Sequence, residues 1–166
     1  MFLSIFGIGP VFGILLGGCT LFLFFNPYLV PEGFLFRVLL SIIGALFILY
    51  GGQLWFRAVI TGRMVRNIRL GILMTTGPYS VVRHPVYVGI FWVCTGLILV
   101  KGSFIGFILP IIFLPLLSVL LGYTEEKWLC RLYSDAYFKY KDQVPQLIPR
   151  PGRLLGFRAD SGSEEK

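Results

Sequence analysis

Arg83-His84-Pro85 and Glu125-Glu126 are the residues of this chain best suited to chemistry. Each group stands at the edge of a long apolar run, where polar side chains are costly and therefore informative. Brought together, cationic or titratable groups would face two carboxylates near a low-dielectric medium. That setting perturbs pKa values and often marks a functional site. An ion pair that merely ties two helices shut would use the same residues. The neighbours suit an anionic ligand. Pro85 fits the first position of a helix, where its missing N–H costs nothing. The amides after it point outward at the positive end of the helix dipole, ready for a carboxylate or phosphate. Gly89 removes a side chain from the same helix and allows close approach, while Tyr79 and Tyr87 offer aromatic faces to an adenine or a cation. Gly77-Pro78-Tyr79 reads as a turn leading into this corner.

The elements that must position these groups are apolar. Of 166 residues, 56% are hydrophobic and 14% charged, against roughly 25% charged in soluble domains. The mean hydropathy is +0.80. A bilayer accommodates that much apolar surface; a water-soluble core of this size does not. The expected fold is an all-α integral membrane protein, a single domain over residues 1–150. It comprises about four transmembrane helices, over residues 2–25, 34–56, 85–100 and 103–123. The third is short: about 16 residues rise only ~24 Å against ~30 Å of hydrocarbon. Lys101-Gly102 closes the third and fourth spans into a hairpin. A hairpin returns the chain to its starting face, so Arg83-His84 and Glu125-Glu126 should meet there.

The first run has no basic residues ahead of it and is too long for a signal peptide, so it reads as a span. Its Gly9, Gly13 and Gly17 form a small-residue face for close helix packing. Pro110 and Pro115 lie inside the fourth span, where each tends to bend the helix or to open a lateral gap for a lipophilic substrate. After Tyr123 the pattern becomes amphipathic. Trp128, Leu132, Ala136 and Tyr140 recur every four residues, predicting an interfacial helix over about 125–142 that ends at Val144-Pro145. Residues 151–166 read as a disordered tail.

Charge sets the expected topology. The chain carries a net charge of +7, and all of its 15 basic residues except Arg37 and Lys101 fall in 57–83 or 124–166. Cytoplasmic loops retain basic residues, so both termini and the Arg83/Glu125 corner are expected on the cytoplasmic side. Charge confined to loops between apolar runs argues against a nucleic-acid partner. One histidine and three scattered cysteines, Cys19, Cys94 and Cys130, argue against a metal site.

Taken together, Thr76-Gly77-Pro78-Tyr79, Arg83-His84-Pro85-Val86-Tyr87-Val88-Gly89, Glu125-Glu126 and Tyr137…Tyr140…Val144-Pro145…Ile148-Pro149 resemble the isoprenylcysteine carboxyl methyltransferase family. The related phospholipid N-methyltransferases have a similar core. The similarity covers about residues 70 to 150. The resemblance implies methyl transfer from S-adenosylmethionine to a lipophilic acceptor entering from the bilayer, in a pocket closed by the C-terminal helix. It implies cofactor contacts from Gly71, Ile72, Leu73 and Met74, largely through backbone, and from Tyr79, His84, Pro85, Val86, Tyr87 and Glu125. Gly89 joins them through the close approach it allows, and Arg83 and Glu126 are the candidate catalytic residues. A carboxylate acceptor, as in isoprenylcysteine O-methylation, needs positioning more than acid–base chemistry. An amine acceptor, as in phospholipid N-methylation, must lose a proton, for which Glu126 or a tyrosine is the candidate base. Leu121 stands where the eukaryotic carboxyl methyltransferases carry a substrate-contacting arginine.

Overall fold

The computed structural model describes residues 9–25, 33–61, 66–67, 70–103 and 105–149. The start of the expected first span, Arg63, Arg69, Arg150 and the 151–166 tail lie outside them. All regular structure among the described residues is helical: α1 (Gly9–Phe25), α2 (Phe34–Phe56), α3 (Pro85–Val100), α4 (Ile105–Tyr123) and α5 (Glu125–Gln143). A π-helical turn, Arg57–Thr61, extends α2, and a 3-10 turn, Gly77–Ser80, precedes α3. Two segments, Phe34–Ile60 and Ile105–Tyr123, are long and apolar enough to cross a bilayer; α1 and α3 are apolar but shorter. Large side chains on the outer surface, among them Ile14, Leu35, Leu49, Ile111 and Ile112, are exposed. An apolar surface of that extent calls for lipid rather than water around it.

The centre of the bundle is α3, which runs antiparallel to α2 on a seam of glycines. A Cβ on Gly44 would sit 2.6 Å from the Gly96 carbonyl oxygen, and one on Gly51 would sit 2.6 Å from that of Gly89. The reverse holds too: Gly96 meets the Gly44 oxygen at 2.6 Å and Gly89 meets the Gly51 oxygen at 2.8 Å. The pairs lie about two helical turns apart on each helix, so the backbones touch at two levels. Phe47 stacks edge-on against Trp92 between them, with centroids 4.7 Å apart.

α1 packs on another face of α3 through Phe12 and Leu16, which join Phe91, Cys94, Ile98, Leu109, Leu117 and Leu121 in the apolar core. This differs from the small-residue face expected for α1. Positions where Gly13 and Gly17 would carry a Cβ meet nothing within 4 Å. The large residues one position earlier, Phe12 and Leu16, give the helix its contact instead, and the glycines turn away.

The α3–α4 hairpin closes as expected at Lys101-Gly102. Gly102 takes a positive φ of 88°, and the Gly102 and Ser103 amides donate back to the Leu99 and Ile98 carbonyls at 2.8 and 3.3 Å. This is the glycine-ended cap that satisfies the last carbonyls of a helix. α4 starts at Ile105 rather than at Ser103, whose carbonyl accepts from the Gly106 amide. Both prolines lie inside the continuous α4.

Candidate active site

α5 buries only part of its four-residue repeat against the rest of the chain. Trp128, Leu132 and Ala136 are exposed, and the buried positions are Glu126, Tyr137 and Tyr140. With the half-buried Cys130 and Tyr133 they form a stripe spaced 4, 3, 4 and 3, which holds one helix face better than a strict repeat of four. The helix also breaks in its middle. Ser134 adopts φ 45° and ψ −124°, a conformation that disfavours any side chain. The break has a direct consequence. A straight helix would separate the Cα atoms of Glu126 and Lys141 by ~22 Å, further than the two side chains can bridge. Lys141 Nζ nevertheless lies 3.1 Å from Glu126 Oε2. The second half of α5 therefore folds back over the first.

Beneath this fold the hairpin brings the expected groups together. Arg83 Nη1 lies 2.7 Å from Glu126 Oε1. His84 sits between the glutamates, Nδ1 3.6 Å from Glu125 Oε2 and Nε2 3.5 Å from Glu126 Oε1. The Tyr87 hydroxyl donates to Glu125 Oε1. His84 is 6% and Glu126 3% exposed, so both side chains are held out of water. Burial alone would raise the Glu126 pKa. Contact with His84, the Arg83 charge and the Lys141 ammonium together outweigh it and hold Glu126 at about 2. Such a carboxylate takes up a proton poorly, so this geometry suits Glu126 to gripping Arg83 and Lys141 rather than to acting as a base. Tyr79, Tyr137 and Tyr140 have their pKa values raised, chiefly by burial, and stay protonated donors.

The chain after α5 straps this corner in place. The Arg83 and His84 amides donate to the Pro145 and Gln146 carbonyls at 2.9 and 3.3 Å. Gln146 in turn is tied to α4: its Oε1 accepts from the Ser118 hydroxyl, and its Nε2 donates to the Ser118 carbonyl at 3.1 Å. The Tyr140 hydroxyl donates to the Tyr79 carbonyl at 2.6 Å, anchoring α5 to the 3-10 turn.

Several polar atoms here are buried without a hydrogen-bond partner among the described residues: Tyr79 Oη, Arg83 Nε, His84 Nε2 and Tyr137 Oη. Arg83 Nη1 and Glu126 Oε1 touch, but not in hydrogen-bonding alignment. Each such buried atom costs on the order of 1–3 kcal/mol, and their concentration at one corner fits a polar ligand. His84 also heads α3 with no capping side chain, and Pro85 occupies the first turn. The Val86 and Tyr87 amides therefore stand at the positive end of the helix. The buried donors and the helix end suit the carboxylate of a ligand, and the two glutamates suit a cationic group on it.

The remaining expected residues divide. Gly71, at a positive φ of 66°, and Ile72 are exposed, on a segment leading to the 3-10 turn. Leu73 packs under Tyr137, Tyr140 and Val144, and Met74 is half-buried. Pro85 is buried and Val86 half-buried at the head of α3. Gly89 does not join the corner: it faces Gly51 and Trp55 of α2, so its missing side chain serves helix packing. Lys141, Tyr137 and Gln146 are the additions. The stripe through Glu126, Tyr133, Tyr137 and Tyr140 was the available signal for Tyr137. Lys141 becomes a neighbour only through the break at Ser134.

The family model described as phospholipid methyltransferase matches residues 38–136. The protein-S-isoprenylcysteine O-methyltransferase of Schizosaccharomyces pombe is 36% identical over 78 residues, 47% of this chain and 33% of that protein. Its namesake in Saccharomyces cerevisiae is 35% identical over 78 residues, with the same coverage. The match thus spans about a third of the length of these relatives. No solved structure matches. Because the family match runs from α2 through the first half of α5, taking in both Arg83-His84 and Glu125-Glu126, this chain belongs to the phospholipid methyltransferase family.

Proposed function

We propose that this chain is an integral membrane methyltransferase that uses S-adenosylmethionine to methylate a lipophilic carboxylate. The observation that carries the reading is the corner itself: buried donors without partners around His84, beside an uncapped helix end and two glutamates. When bound, the cofactor supplies a methyl group activated on a sulfonium. His84 and the Val86 and Tyr87 amides would hold its carboxylate. Glu125, oriented by the Tyr87 hydroxyl, would meet its cationic charge. Tyr79, Pro85 and the segment Gly71, Ile72, Leu73 and Met74 would supply further contacts, and α5 would close the pocket and exclude water.

The acid–base character of the site favours a carboxylate acceptor. Glu126 is held at about 2 and the buried tyrosines are pushed upward, which leaves these candidate bases ill-suited to deprotonating an amine. A carboxylate acceptor needs only alignment with the methyl group. Leu121 is fully buried in the core and gives such an acceptor no charge; the Arg83 Nε, without a hydrogen-bond partner among the described residues, is the donor left to face it. The family's description as phospholipid methyltransferase motivates the second reading, an amine acceptor.

The reading includes four spans, α1 to α4, with both termini and the corner on the cytoplasmic side, as the basic residues suggest. The acceptor enters from the bilayer, and lipids surround the bundle. Incubating the purified chain with methyl-labelled cofactor and either a prenylcysteine or phosphatidylethanolamine tests the acceptor. The reading expects label on the prenylcysteine, with a rate that does not climb as pH rises from 7 to 9. Label on the phospholipid amine alone, at a rate rising with pH, would overturn it.

A further inference from the structure

Contacts between the methyl donor and His84, Tyr87 and Glu125 leave two buried donors of the corner unused, the Arg83 Nε and the Tyr137 hydroxyl. Neither has a hydrogen-bond partner among the described residues. Tyr137 is 1% exposed and the Arg83 side chain 9%, so water does not readily serve either group. Arg83 precedes α3, and Tyr137 stands on α5 past the break at Ser134. The fold-back of α5 brings them to one place, where the Tyr137 hydroxyl feels both the Arg83 guanidinium and the Glu126 carboxylate. Burial, and after it Glu126, push the Tyr137 pKa upward against the pull of Arg83, so the hydroxyl keeps its proton and can donate it.

Charge at this side of the corner calls for an anion. Glu126 is shared by two cations, its Oε1 2.7 Å from Arg83 Nη1 and its Oε2 3.1 Å from Lys141 Nζ. One carboxylate against two cations leaves that set one positive charge in excess. Glu125 meets the other nitrogen of His84 and accepts from Tyr87, so it serves the α3 side instead. Because Lys141 holds Oε2, Glu126 does not close the two-pronged pairing that an arginine makes with a carboxylate, and Arg83 Nε is left open. The surroundings of Tyr137 are apolar, with Leu73, Leu129, Cys130 and Val144 packed around it and Tyr140. A ligand that carries a carboxylate on a lipophilic body suits such a place.

We infer that the Tyr137 hydroxyl and Arg83 Nε each donate a hydrogen bond to the carboxylate of the methyl acceptor, which makes Tyr137 a residue that selects an anionic acceptor. This rests on the reading of the chain as a methyltransferase of lipophilic carboxylates and adds the group that recognises the carboxylate. A carboxylate has lone pairs enough to accept both bonds and still present one to the methyl carbon. The C–O bond then forms as the C–S bond breaks, and the electron pair leaves on sulfur. An ammonium could accept from neither donor and would meet the like charge of the guanidinium.

The test is Tyr137→Phe in the full chain, which removes the hydroxyl and keeps the ring. With a prenylcysteine acceptor and saturating S-adenosylmethionine, the acceptor KM should rise about tenfold, as for one lost hydrogen bond to a charge, with kcat nearly unchanged. Cofactor affinity by isothermal titration should stay the same. Thermal unfolding without acceptor should be unchanged or shifted upward, because a buried hydroxyl without a partner costs stability. The wild type alone gives a second readout: the neutral carboxamide of the same prenylcysteine should bind about tenfold more weakly than the acid. An unchanged acceptor KM in Tyr137→Phe, or equal binding of acid and carboxamide by the wild type, would overturn the inference. So would a matching loss of cofactor affinity, which would give the hydroxyl to the cofactor, or a lowered unfolding temperature with the kinetics intact. A wild type that methylates no prenylcysteine would overturn the carboxylate reading itself, and this inference with it.

Discussion

At the scale of single residues, Glu126 shows how the corner is held and how that hold can be measured. Its carboxylate is buried and kept ionised by His84, Arg83 and Lys141, with a pKa lowered from 4.5 to about 2. A depressed folded-state pKa contributes stability that is fully present above pH ~4.5 and is lost as pH falls toward 2. The shift corresponds to roughly 3 kcal/mol. Acid titration of the wild type should therefore show a loss of helicity over that window. Glu126→Gln should be less stable at pH 7 by a similar amount, because Arg83 is left buried without its counter-charge, and its stability should vary less between pH 5 and 2. Identical acid profiles for the two proteins would contradict this role. The pairing of Arg83-His84 with Glu125-Glu126 was legible in the sequence, because a hairpin of two apolar runs returns the chain to one face. The third cation, Lys141, was not. It depends on a backbone conformation at Ser134 that the sequence marks only weakly, through a turn-prone Ser-Asp pair in mid-helix.

Elements carry the next predictions. The glycine seam leaves no space for a side chain at Gly44, Gly51, Gly89 or Gly96, where a Cβ would lie 2.6–2.8 Å from a backbone oxygen of the facing helix. Gly51→Val and Gly96→Val should each destabilise the bundle by 3 kcal/mol or more, on the order of severe overpacking. Gly13→Ala and Gly17→Ala should be close to neutral in the same thermal unfolding assay, since those positions face open space. Equal losses at both sets would contradict the seam. In α5, Ser134→Gly should be tolerated or stabilising by about 1 kcal/mol, because glycine adopts the observed backbone without strain. Ser134→Val, β-branched and less tolerant still of a positive φ, should lower stability and weaken cofactor binding together. The extents of α2, α3 and α4 were readable to within two residues from apolar length alone. The packed face of α1 was not, nor was the buried stripe of α5, since a helix with several possible stripes is oriented by its neighbours, and those contacts are tertiary. Gly89 illustrates the same limit. The sequence shows a missing side chain at the right helix, and only the approach of α2 decides which partner uses the space.

Across the whole molecule, one bundle knit by the glycine seam of α2 and α3 carries a buried, charged corner at one end. The membrane setting and the methyl donor draw on different observations. The first draws on exposed apolar faces and helix length, the second on orphaned donors around His84 and on membership of the phospholipid methyltransferase family. The donor site is the claim on which the rest of the mechanism stands. Isothermal titration of the purified full chain with S-adenosylmethionine tests it most directly, run beside His84→Ala and Glu125→Ala. The account predicts saturable binding to the wild type and at least a hundredfold weaker binding in each variant, on the order of two lost charge-assisted contacts. Undiminished affinity in both folded variants, or no binding to the wild type, would contradict it.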